Sequence, residues 1–518
     1  MHDHPKNGHH TLRKRKLLPV IPDFPVLPDS APGLSERKVG PLRLSYRCAT
    51  EADEAFWQRF NRFGGGYDMR PDLAACYGQE RLPRYTSYPT APHFSAAIGP
   101  DTYAEWLKAI PRHACASLYL HVPFCRSMCW YCGCHTSVSR RDEPIAVYAS
   151  ALRCEIDLVS KQIERRIKVD HIHFGGGTPT ILAPEIFADL IGSIRQSFFV
   201  LPAAEIAIEI DPRTLTGPMI DALAYGGVNR ASLGVQSFDP VVQRAINRVQ
   251  SFDETAAATK ALRRAGVAGV NFDLIYGLPH QTVASCLDTV SQCVELRPDR
   301  FSVFGYAHVP TFKKHQRKID DAALPDSLER HHQSDAIADA LKQAGYLQIG
   351  LDHFALPDDG MAVAMRDGTL RRNFQGYTTD ASNILLGFGA SAIGLLPQGY
   401  VQNEVRTRGY SESIASGRLA TVKGYGLTGD DRLRAEIIER IMCDFGVDLD
   451  PICARHGSVP EAMLKSSPRL QNLISDGVVE LDGTSLALAR DSRFLVRSVA
   501  AAFDAHLDGS KQLHSRAV

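Results

Sequence analysis

Short apolar or β-branched runs alternate with longer amphipathic segments between about residues 117 and 350. Helices are predicted in the longer segments, as at 145–165 and 254–265, because apolar residues recur there at three- and four-residue spacing. Strands are predicted at residues 117–122, 171–174, 205–210, 230–235, 269–275 and 300–306. This alternation indicates βαβ units with a parallel sheet and right-handed crossovers. Since no seventh or eighth unit is apparent, we expect an α/β fold with an incomplete (β/α)6 barrel.

The sequence on either side of the barrel differs in character. A proline-rich stretch near the start cannot bury a core and is expected to be disordered. Near the end, helical patterns precede residues 477–487, where Asp482 and Gly483 form a hairpin turn, as in a winged-helix module. Four segments are therefore predicted: a disordered extension at 1–70, a segment packing over the active site at 71–116, the barrel and its extension at 117–425, and a mainly helical, winged-helix-like domain at 426–518.

Polar or glycine-rich residues follow the C-terminal end of every predicted strand. These stretches are the cysteine loop after residue 122, then 175–179, 209–212, 234–237, 273–279 and 306–308. In barrels of this kind the active site collects at the C-terminal ends of the strands. We therefore expect these stretches to meet at one mouth.

Four cysteines lie within ten residues directly after the first predicted strand. Cys125, Cys129 and Cys132 form a C-x3-C-x2-C array, and thiolates so closely spaced favour an iron–sulfur cluster or zinc. Three protein thiolates on a four-iron cluster would leave one iron free to bind a substrate. Cys134 is a fourth ligand, a neighbouring thiol or a bystander. A structural zinc completed by Cys134 or His135 is the rival hypothesis, but it leaves the other strand-end stretches unexplained.

Composition adds limits on partners and compartment. Of the 518 residues, 44% are hydrophobic and 22% charged, as in ordinary globular proteins, and 58 basic residues balance 58 acidic ones. The balance of charge argues against nucleic acid or anionic lipid as a partner. No stretch approaches the ~18 consecutive apolar residues of a membrane span, and no secretory signal is apparent. The crowded cysteines suit a reducing compartment, so we expect a cytoplasmic protein.

Taken together, these motifs resemble a known family. The cysteine array after a barrel strand is similar to that of radical S-adenosylmethionine enzymes. Within that superfamily, the chain resembles the oxygen-independent coproporphyrinogen III oxidases, also called coproporphyrinogen dehydrogenases. The stretches that carry this resemblance are 84–90, 132–134, 175–180, 273–279 and 371–378.

The resemblance implies an oxidoreductase of porphyrin and haem biosynthesis. It implies a [4Fe-4S] cluster on Cys125, Cys129 and Cys132 that binds S-adenosylmethionine and yields a 5'-deoxyadenosyl radical. Two propionates of coproporphyrinogen III would then be oxidatively decarboxylated to vinyl groups, giving protoporphyrinogen IX. A low-potential electron donor is the expected partner, and we expect a monomer. The alternative is the haem-chaperone paralogue of the same fold, which, as the resemblance goes, lacks the 84–90 stretch and Cys134.

The resemblance also implies particular site residues. Tyr119 and Glu209 are implied as catalytic residues close to the cofactor. The backbone at Gly176, Gly177 and Thr178 is expected to approach it, since glycine lacks the Cβ that would collide. Two S-adenosylmethionine molecules per chain are expected, and the contacts of the second are implied at Tyr131, Gln236, Arg248, Asp273, Ala307 and Ile393. Arg84, Arg371 and Arg372 are candidates for binding the propionates of the substrate.

Overall fold

The computed structural model describes residues 73, 76, 77, 80–465 and 467–507, and the disordered extension predicted at 1–70 lies outside them. The strands in chain order are β1 Cys115–Val122, β2 Phe124–Cys125, β3 Ser137–Val138, β4 Lys168–Gly176, β5 Phe199–Ile210, β6 Arg230–Gln236, β7 Gly269–Tyr276, β8 Arg300–Gly305, β9 Leu347–Ile349, β10 His353–Ala355, β11 Arg371–Asn373, β12 Gly376–Thr378, β13 Leu385–Phe388, β14 Ile393–Leu396, β15 Gly399–Asn403, β16 Thr421–Gly426, β17 Gly446–Asp448, β18 Val479–Asp482 and β19 Ser485–Leu488.

The α-helices in chain order are α1 Pro100–Lys108, α2 Glu143–Ile163, α3 Pro184–Ser197, α4 Gly217–Tyr225, α5 Pro240–Ala245, α6 Phe252–Arg264, α7 Val283–Glu295, α8 Ser327–Gln343, α9 Gly360–Arg366, α10 Thr407–Ala415, α11 Gly429–Asp444, α12 Leu449–Arg455, α13 Pro460–Lys465, α14 Pro468–Ser475 and α15 Val496–Ala501. Short 3-10 turns lie at Ala91–His93, Pro179–Ile181, Pro212–Thr214, Lys314–Lys318, Asp321–Ala323 and Arg490–Leu495. No described helix is both long and apolar enough to cross a membrane.

One twelve-stranded sheet dominates the fold, in the order β16-β15-β14-β13-β1-β4-β5-β6-β7-β8-β10-β9. The strands from β13 to β8 in this order are parallel to their neighbours. The outer strands are antiparallel to theirs. Since the order ends at β16 and β9, the sheet does not close. All six predicted barrel strands are present as β1 and β4 to β8, which confirms the incomplete α/β barrel.

A seventh parallel strand, β13, lies beside β1. Its residues pair with β1 so that Leu385 lies opposite Ser117 and Phe388 opposite Leu120. The strand is only four residues long and belongs to a glycine-rich stretch. It is also far from β1 in sequence, and the sequence around it has no alternating strand–helix pattern that would predict a barrel strand. The sheet pairing therefore reveals a strand that local patterning does not predict.

The predicted helices form because each has a defined apolar face. In α6, Thr255, Ala258, Thr259 and Leu262 are buried at helical spacing, and Ser251 and Glu254 form a reciprocal capping box at its start. Apolar side chains of the helices pack on the parallel strands in one large core. This core covers the faces of the sheet and leaves the strand ends available for polar residues.

The C-terminal segment combines helices α11 to α15 with a three-stranded sheet ordered β17-β19-β18. The predicted hairpin is present, since β18 and β19 pair across a turn in which Gly483 has φ 59°. Leu82, Tyr85 and Tyr88 join the core of this segment, packing with residues such as Ile441. The residues before the barrel are therefore anchored to the C-terminal segment.

Candidate active site

A cavity of about 570 Å³ lies at the C-terminal ends of the parallel strands. Its wall is built from the cysteine loop and from residues in or just after the C-terminal parts of β4 to β8. Parallel strands end at a common edge of the sheet, so residues that are distant in sequence meet there. The predicted residues that line it are Cys125, Cys129, Tyr131, Cys132, Gly176, Gly177, Thr178, Glu209, Gln236, Arg248, Asp273 and Ala307.

Two of the predicted site residues do not form this wall. Tyr119 is half-buried on β1, where its hydroxyl is hydrogen-bonded to His121 Nδ1 at 3.0 Å and its ring stacks on His173 with centroids 5.9 Å apart. It therefore supports the side chains behind the cavity. Ile393 begins β14 and does not line the cavity. In the sheet order, β14 lies three positions from β4, whose end forms part of the cavity wall.

Two of the three array cysteines are approached by hydrogen-bond donors. Cys125 Sγ lies 3.4 Å from Thr136 Oγ1, and the Thr178 hydroxyl donates to it at 3.5 Å. Arg248 Nη1 donates to Cys129 Sγ at 3.6 Å. Thiolates are the form that binds metal, and donors and cations stabilise that form. Burial nevertheless raises the pKa of Cys125, so the two threonine hydroxyls offset only part of the cost of a thiolate there.

Cys134 acts on its neighbour Cys132. A hydrogen bond from the Cys134 side chain lowers the pKa of the Cys132 thiol to about 7, although burial opposes this effect. The same hydrogen bond raises the pKa of Cys134 well above its ordinary value. The interaction between the two side chains therefore favours the thiolate of Cys132 over that of Cys134.

The sulfurs of Cys125, Cys129 and Cys132 do not all lie within 4.8 Å of one another. Tetrahedral zinc at ~2.3 Å from each sulfur would bring the sulfurs about 3.8 Å apart. Among the described residues, one set of three potential ligand atoms lies within 4.8 Å of one another, and it consists of Asp170, His171 and Asp380, not of the cysteines. Thiols spaced around a larger body are what an iron–sulfur cluster needs, since each binds a different iron.

Glu209 presents a charged carboxylate to the cavity. The Gly176 amide donates to Glu209 Oε2 at 3.0 Å, and His173 Nε2 lies 3.4 Å from Oε1. Burial alone would raise the pKa of Glu209, but His173 and the Gly176 amide together lower it below its ordinary value. Glu209 is therefore a fixed acceptor at the end of β5.

Asp273 lies at the same edge, on β7. The Ser232 hydroxyl donates to its Oδ2 at 2.9 Å, and Asn271 Nδ2 donates to Oδ1 at 2.8 Å. Burial, with a contribution from the charge of Glu209, raises the pKa of Asp273 to about 6. Its carboxylate is held in place by two donors and has lone pairs left to accept hydrogen bonds from a ligand.

The glycines after β4 are required by protein packing. A Cβ on Gly177 would lie 2.6 Å from the carbonyl oxygen of Phe124, which precedes the first array cysteine. A Cβ on Gly176 would lie 2.5 Å from the His121 ring. The Gly177 amide donates to the Val122 carbonyl oxygen at 2.9 Å. The small residues thus let β4 pack directly against the start of the cysteine loop.

Asp211 and Arg213 were not among the predicted site residues, but the structure brings both close to the cysteine loop. Arg213 Nη2 donates to Asp211 Oδ2 at 2.6 Å and lies 3.8 Å from Cys129 Sγ. Arg248 Nη2 lies 3.5 Å from Asp211 Oδ1. The Asp211-Pro212-Arg213 run at a strand end was the available signal, but only the fold shows that it faces the loop.

A second cavity of about 440 Å³ adjoins the first. The two share wall residues at the end of β8, such as Phe304 and Ala307, and also share Arg84. Of the three arginines suggested for the substrate, Arg84 and Arg372 line the second cavity. Arg371 does not line it, and its Nε donates to Glu439 Oε1 at 2.9 Å.

Comparison with known proteins shows which family the chain belongs to. A model of the radical SAM superfamily matches residues 119–293, and a model of the HemN C-terminal domain matches residues 427–495. The chain is 73% identical over 450 residues to an oxygen-independent coproporphyrinogen III oxidase of Bradyrhizobium diazoefficiens, covering 87% of this chain and 100% of that protein. A Pseudomonas aeruginosa protein of the same name is 39% identical over 441 residues, covering 84% of this chain and 96% of its own.

A solved structure is also similar over its whole length. Coproporphyrinogen III oxidase (HemN) from Escherichia coli, described as a radical SAM enzyme, matches with a TM-score of 0.80 and 38% identity. The match covers 85% of this chain and 100% of that one.

Proposed function

Since this chain belongs to the oxygen-independent coproporphyrinogen III oxidase family of radical SAM enzymes, we propose that its strand-end cavity is where coproporphyrinogen III is decarboxylated. Two propionates become vinyl groups, giving protoporphyrinogen IX. The protein is an oxidoreductase of porphyrin biosynthesis. The observation that carries the proposal is the meeting of Cys125, Cys129 and Cys132 with Glu209 and Asp273 around one cavity.

The superfamily uses a [4Fe-4S] cluster and S-adenosylmethionine. When bound, these groups supply a radical that takes a hydrogen atom from the substrate. Cys125, Cys129 and Cys132 would hold the cluster, because all three line the cavity and hydrogen-bond donors approach the sulfurs of Cys125 and Cys129. Cys134 assists by donating to Cys132 and takes no part as a ligand.

Three side chains of the cavity have the charge or the acceptor atoms that the polar groups of S-adenosylmethionine require. Glu209 would accept from the amino group of the methionine part, since its carboxylate is kept charged. Asp273 would accept from ribose hydroxyls, and Arg248 would pair with the carboxylate. We propose a second S-adenosylmethionine in the same cavity, contacted by Tyr131, Gln236, Arg248, Asp273 and Ala307. Tyr119 would act through His121 and His173, holding the wall behind Glu209 in position.

Each decarboxylation removes three things from one propionate side chain. The side chain gives up one hydrogen atom, carbon dioxide and one electron as the carbon–carbon double bond forms. The hydrogen atom would go to the radical that bound S-adenosylmethionine supplies, and the electron to an acceptor. A low-potential donor must supply the electron that generates each radical.

Several features of the setting are also proposed. The described cysteines are all free thiols, which suits the reducing cytoplasm. Lys plus Arg equals Asp plus Glu at 58 each, so the chain has no excess of basic residues to attract nucleic acid. We propose that the enzyme acts as a monomer.

The test is anaerobic reconstitution of the full chain with iron and sulfide, followed by reductant, S-adenosylmethionine and coproporphyrinogen III. We expect protoporphyrinogen IX and 5'-deoxyadenosine to appear together. Two molecules of 5'-deoxyadenosine per product are expected, one for each propionate. Binding and transfer of haem without decarboxylation would contradict the proposal and identify a haem chaperone.

A further inference from the structure

The second cavity, of about 440 Å³, has an unusual concentration of positive charge, and we name it the arginine cavity. Its described lining contains six arginines, drawn from three parts of the chain: Arg81, Arg84, Arg330, Arg372, Arg493 and Arg497. The first two precede the barrel, and the last two belong to the C-terminal segment. Three aspartates line the same cavity, so the arginines exceed the lining carboxylates by three charges.

The three aspartates have histidine partners of their own. Asp321 Oδ1 lies 2.8 Å from His308 Nε2, and Asp335 Oδ2 lies 2.8 Å from His331 Nε2. Asp352 Oδ1 lies 2.7 Å from His353 Nδ1. Asp352 also interacts electrostatically with Arg372 and Arg84. Six arginines against three aspartates still leave the lining with a net positive charge when every acid is counted.

Arg84, Arg372 and Arg497 are held close together. Arg372 Nη2 donates to the Arg84 carbonyl oxygen at 3.3 Å, and Arg497 Nε donates to the Pro83 carbonyl oxygen at 2.9 Å. Arg372 Nε and Nη1 are buried and have no hydrogen-bond partner among the described residues. Burial and the charges of Arg84 and Arg372 lower the pKa of Arg497 to about 10. Like charges packed this closely are stabilised by an anionic ligand.

The arginine cavity is placed to work with the cysteine cavity. Phe304, Gly305, Tyr306 and Ala307 line both, and so does Arg84. A ligand with carboxylates on separate arms could therefore reach both cavities at once. Guanidinium groups bind carboxylates through two parallel hydrogen bonds, which gives geometric specificity as well as charge pairing.

We propose that the arginine cavity binds the carboxylates of a tetracarboxylate substrate that are not reacting, while the reacting arm lies in the cysteine cavity. This inference rests on the proposed function. Arg84 and Arg372 are its central contacts. Arg493 and Arg497 extend it into the C-terminal segment, which thereby takes part in recognising the substrate.

Adjacent residues on β11 provide a matched control. Arg372 lines the arginine cavity, with its guanidinium 4.4 Å from the centre of the Tyr377 ring. Arg371 lies next to it in sequence but pairs with Glu439 outside the cavity. Replacing either with glutamine removes one charge from the same strand, so an effect of total charge would be equal in both variants.

The test compares the reconstituted wild type with Arg84→Gln, Arg372→Gln and Arg371→Gln. The probes are coproporphyrin III, with four carboxylates, and its tetramethyl ester, with none. We expect the wild type to prefer the acid, and this preference to fall at least tenfold in Arg84→Gln and Arg372→Gln. Arg371→Gln should retain it. Because Arg84 is exposed, Arg84→Gln gives a result even if Arg372→Gln folds poorly.

The outcome separates this inference from the proposed function. An unchanged preference for the acid in both Arg84→Gln and Arg372→Gln, or an equal loss in Arg371→Gln, would overturn the arginine cavity as the carboxylate site. The effect of Arg84→Gln should appear as a raised KM for coproporphyrinogen III. Arg371→Gln, which changes a residue outside both cavities, should keep the wild-type KM and the wild-type rate of S-adenosylmethionine cleavage without substrate. A wild type that distinguishes acid from ester but forms no protoporphyrinogen would refute the proposed function alone.

Discussion

Arg248 places a buried guanidinium beside a cysteine of the array, with Nη1 3.6 Å from Cys129 Sγ. Its Nη2 also donates to the Gly234 carbonyl oxygen at 2.6 Å, which fixes the side chain. A positive charge at this position favours the more negative, reduced form of any cluster bound there. The charge of Arg248 is therefore expected to raise the reduction potential of a cluster bound to Cys129.

Arg248→Met should lower the reduction potential of the reconstituted cluster. We expect a fall of about 60 mV, equivalent to a tenfold change in the equilibrium constant of a one-electron couple. Redox titration followed by electron paramagnetic resonance measures it. Arg248→Lys is the control, since it keeps the positive charge and should keep the potential close to the wild-type value. An unchanged potential in an Arg248→Met protein with full iron content would refute this role.

Gly177→Ala should disturb the cysteine loop, whereas Gly133→Ala should not. A Cβ at Gly177 would lie 2.6 Å from the Phe124 carbonyl oxygen, while a Cβ at Gly133 would have nothing within 4 Å. Iron and sulfide content after reconstitution should fall severalfold in Gly177→Ala and match the wild type in Gly133→Ala. Equal cluster content in both variants would show that the loop tolerates the displacement.

Cys134→Ala should keep the cluster, because Cys134 is expected to act as a hydrogen-bond donor to Cys132 and not as a ligand. Iron content should stay near four atoms per chain, as expected for a [4Fe-4S] centre. Cys132→Ala, by contrast, should lose most of the iron. Mössbauer spectroscopy of the two proteins distinguishes the cases. Loss of iron in Cys134→Ala comparable to that in Cys132→Ala would make Cys134 a fourth ligand.

Glu209→Gln should weaken S-adenosylmethionine binding by roughly 10- to 100-fold, the range for losing one charged hydrogen-bond partner. Glu205→Gln is the matched control on β5, since Glu205 pairs with Arg230 Nε at 2.9 Å and does not line the cavity. It should lower thermal stability while leaving the Kd for S-adenosylmethionine near the wild-type value. Equilibrium binding and 5'-deoxyadenosine release measure both variants. The prediction fails if the two variants lose affinity equally.

Glu155→Gln should remove a pH dependence of folding stability. The buried Glu155 carboxylate accepts from the Gly389 amide at 2.7 Å and from Asn403 Nδ2 at 2.6 Å, yet burial raises its pKa to about 7. Because the folded pKa lies above the unfolded value, protonation favours folding. The contribution of Glu155 to stability should therefore increase as pH falls from 8 to 5, by roughly 2–3 kcal/mol.

Urea unfolding of the wild type and Glu155→Gln across this pH range tests that sign. The difference in unfolding free energy between the two proteins should change in the stated direction. Parallel pH curves would show that Glu155 has the same pKa in the folded and unfolded states.

Local sequence determined the six barrel strands and most of the cysteine cavity. Alternating strand and helix patterns specify a parallel sheet, and parallel strands bring their C-terminal ends to one edge. Cys125, Glu209 and Asp273 could therefore be placed together although they are far apart in the chain. The spacing of the three cysteines limited the predicted metal centre to an iron–sulfur cluster or zinc, because these are what closely spaced thiolates favour.

Contacts across the fold decided the rest. The positions of Arg371 and Arg372 differ because neighbouring residues on a strand point to opposite sides, and only the packing of β11 on α11 shows which side meets Glu439. Likewise, the sequence does not show that Arg84 and Arg497 share a cavity, because residues more than 400 positions apart meet only after the ends of the chain pack together. The cysteine array is thus a property of the sequence, whereas the charge that surrounds it and the cavity beside it are properties of the tertiary structure.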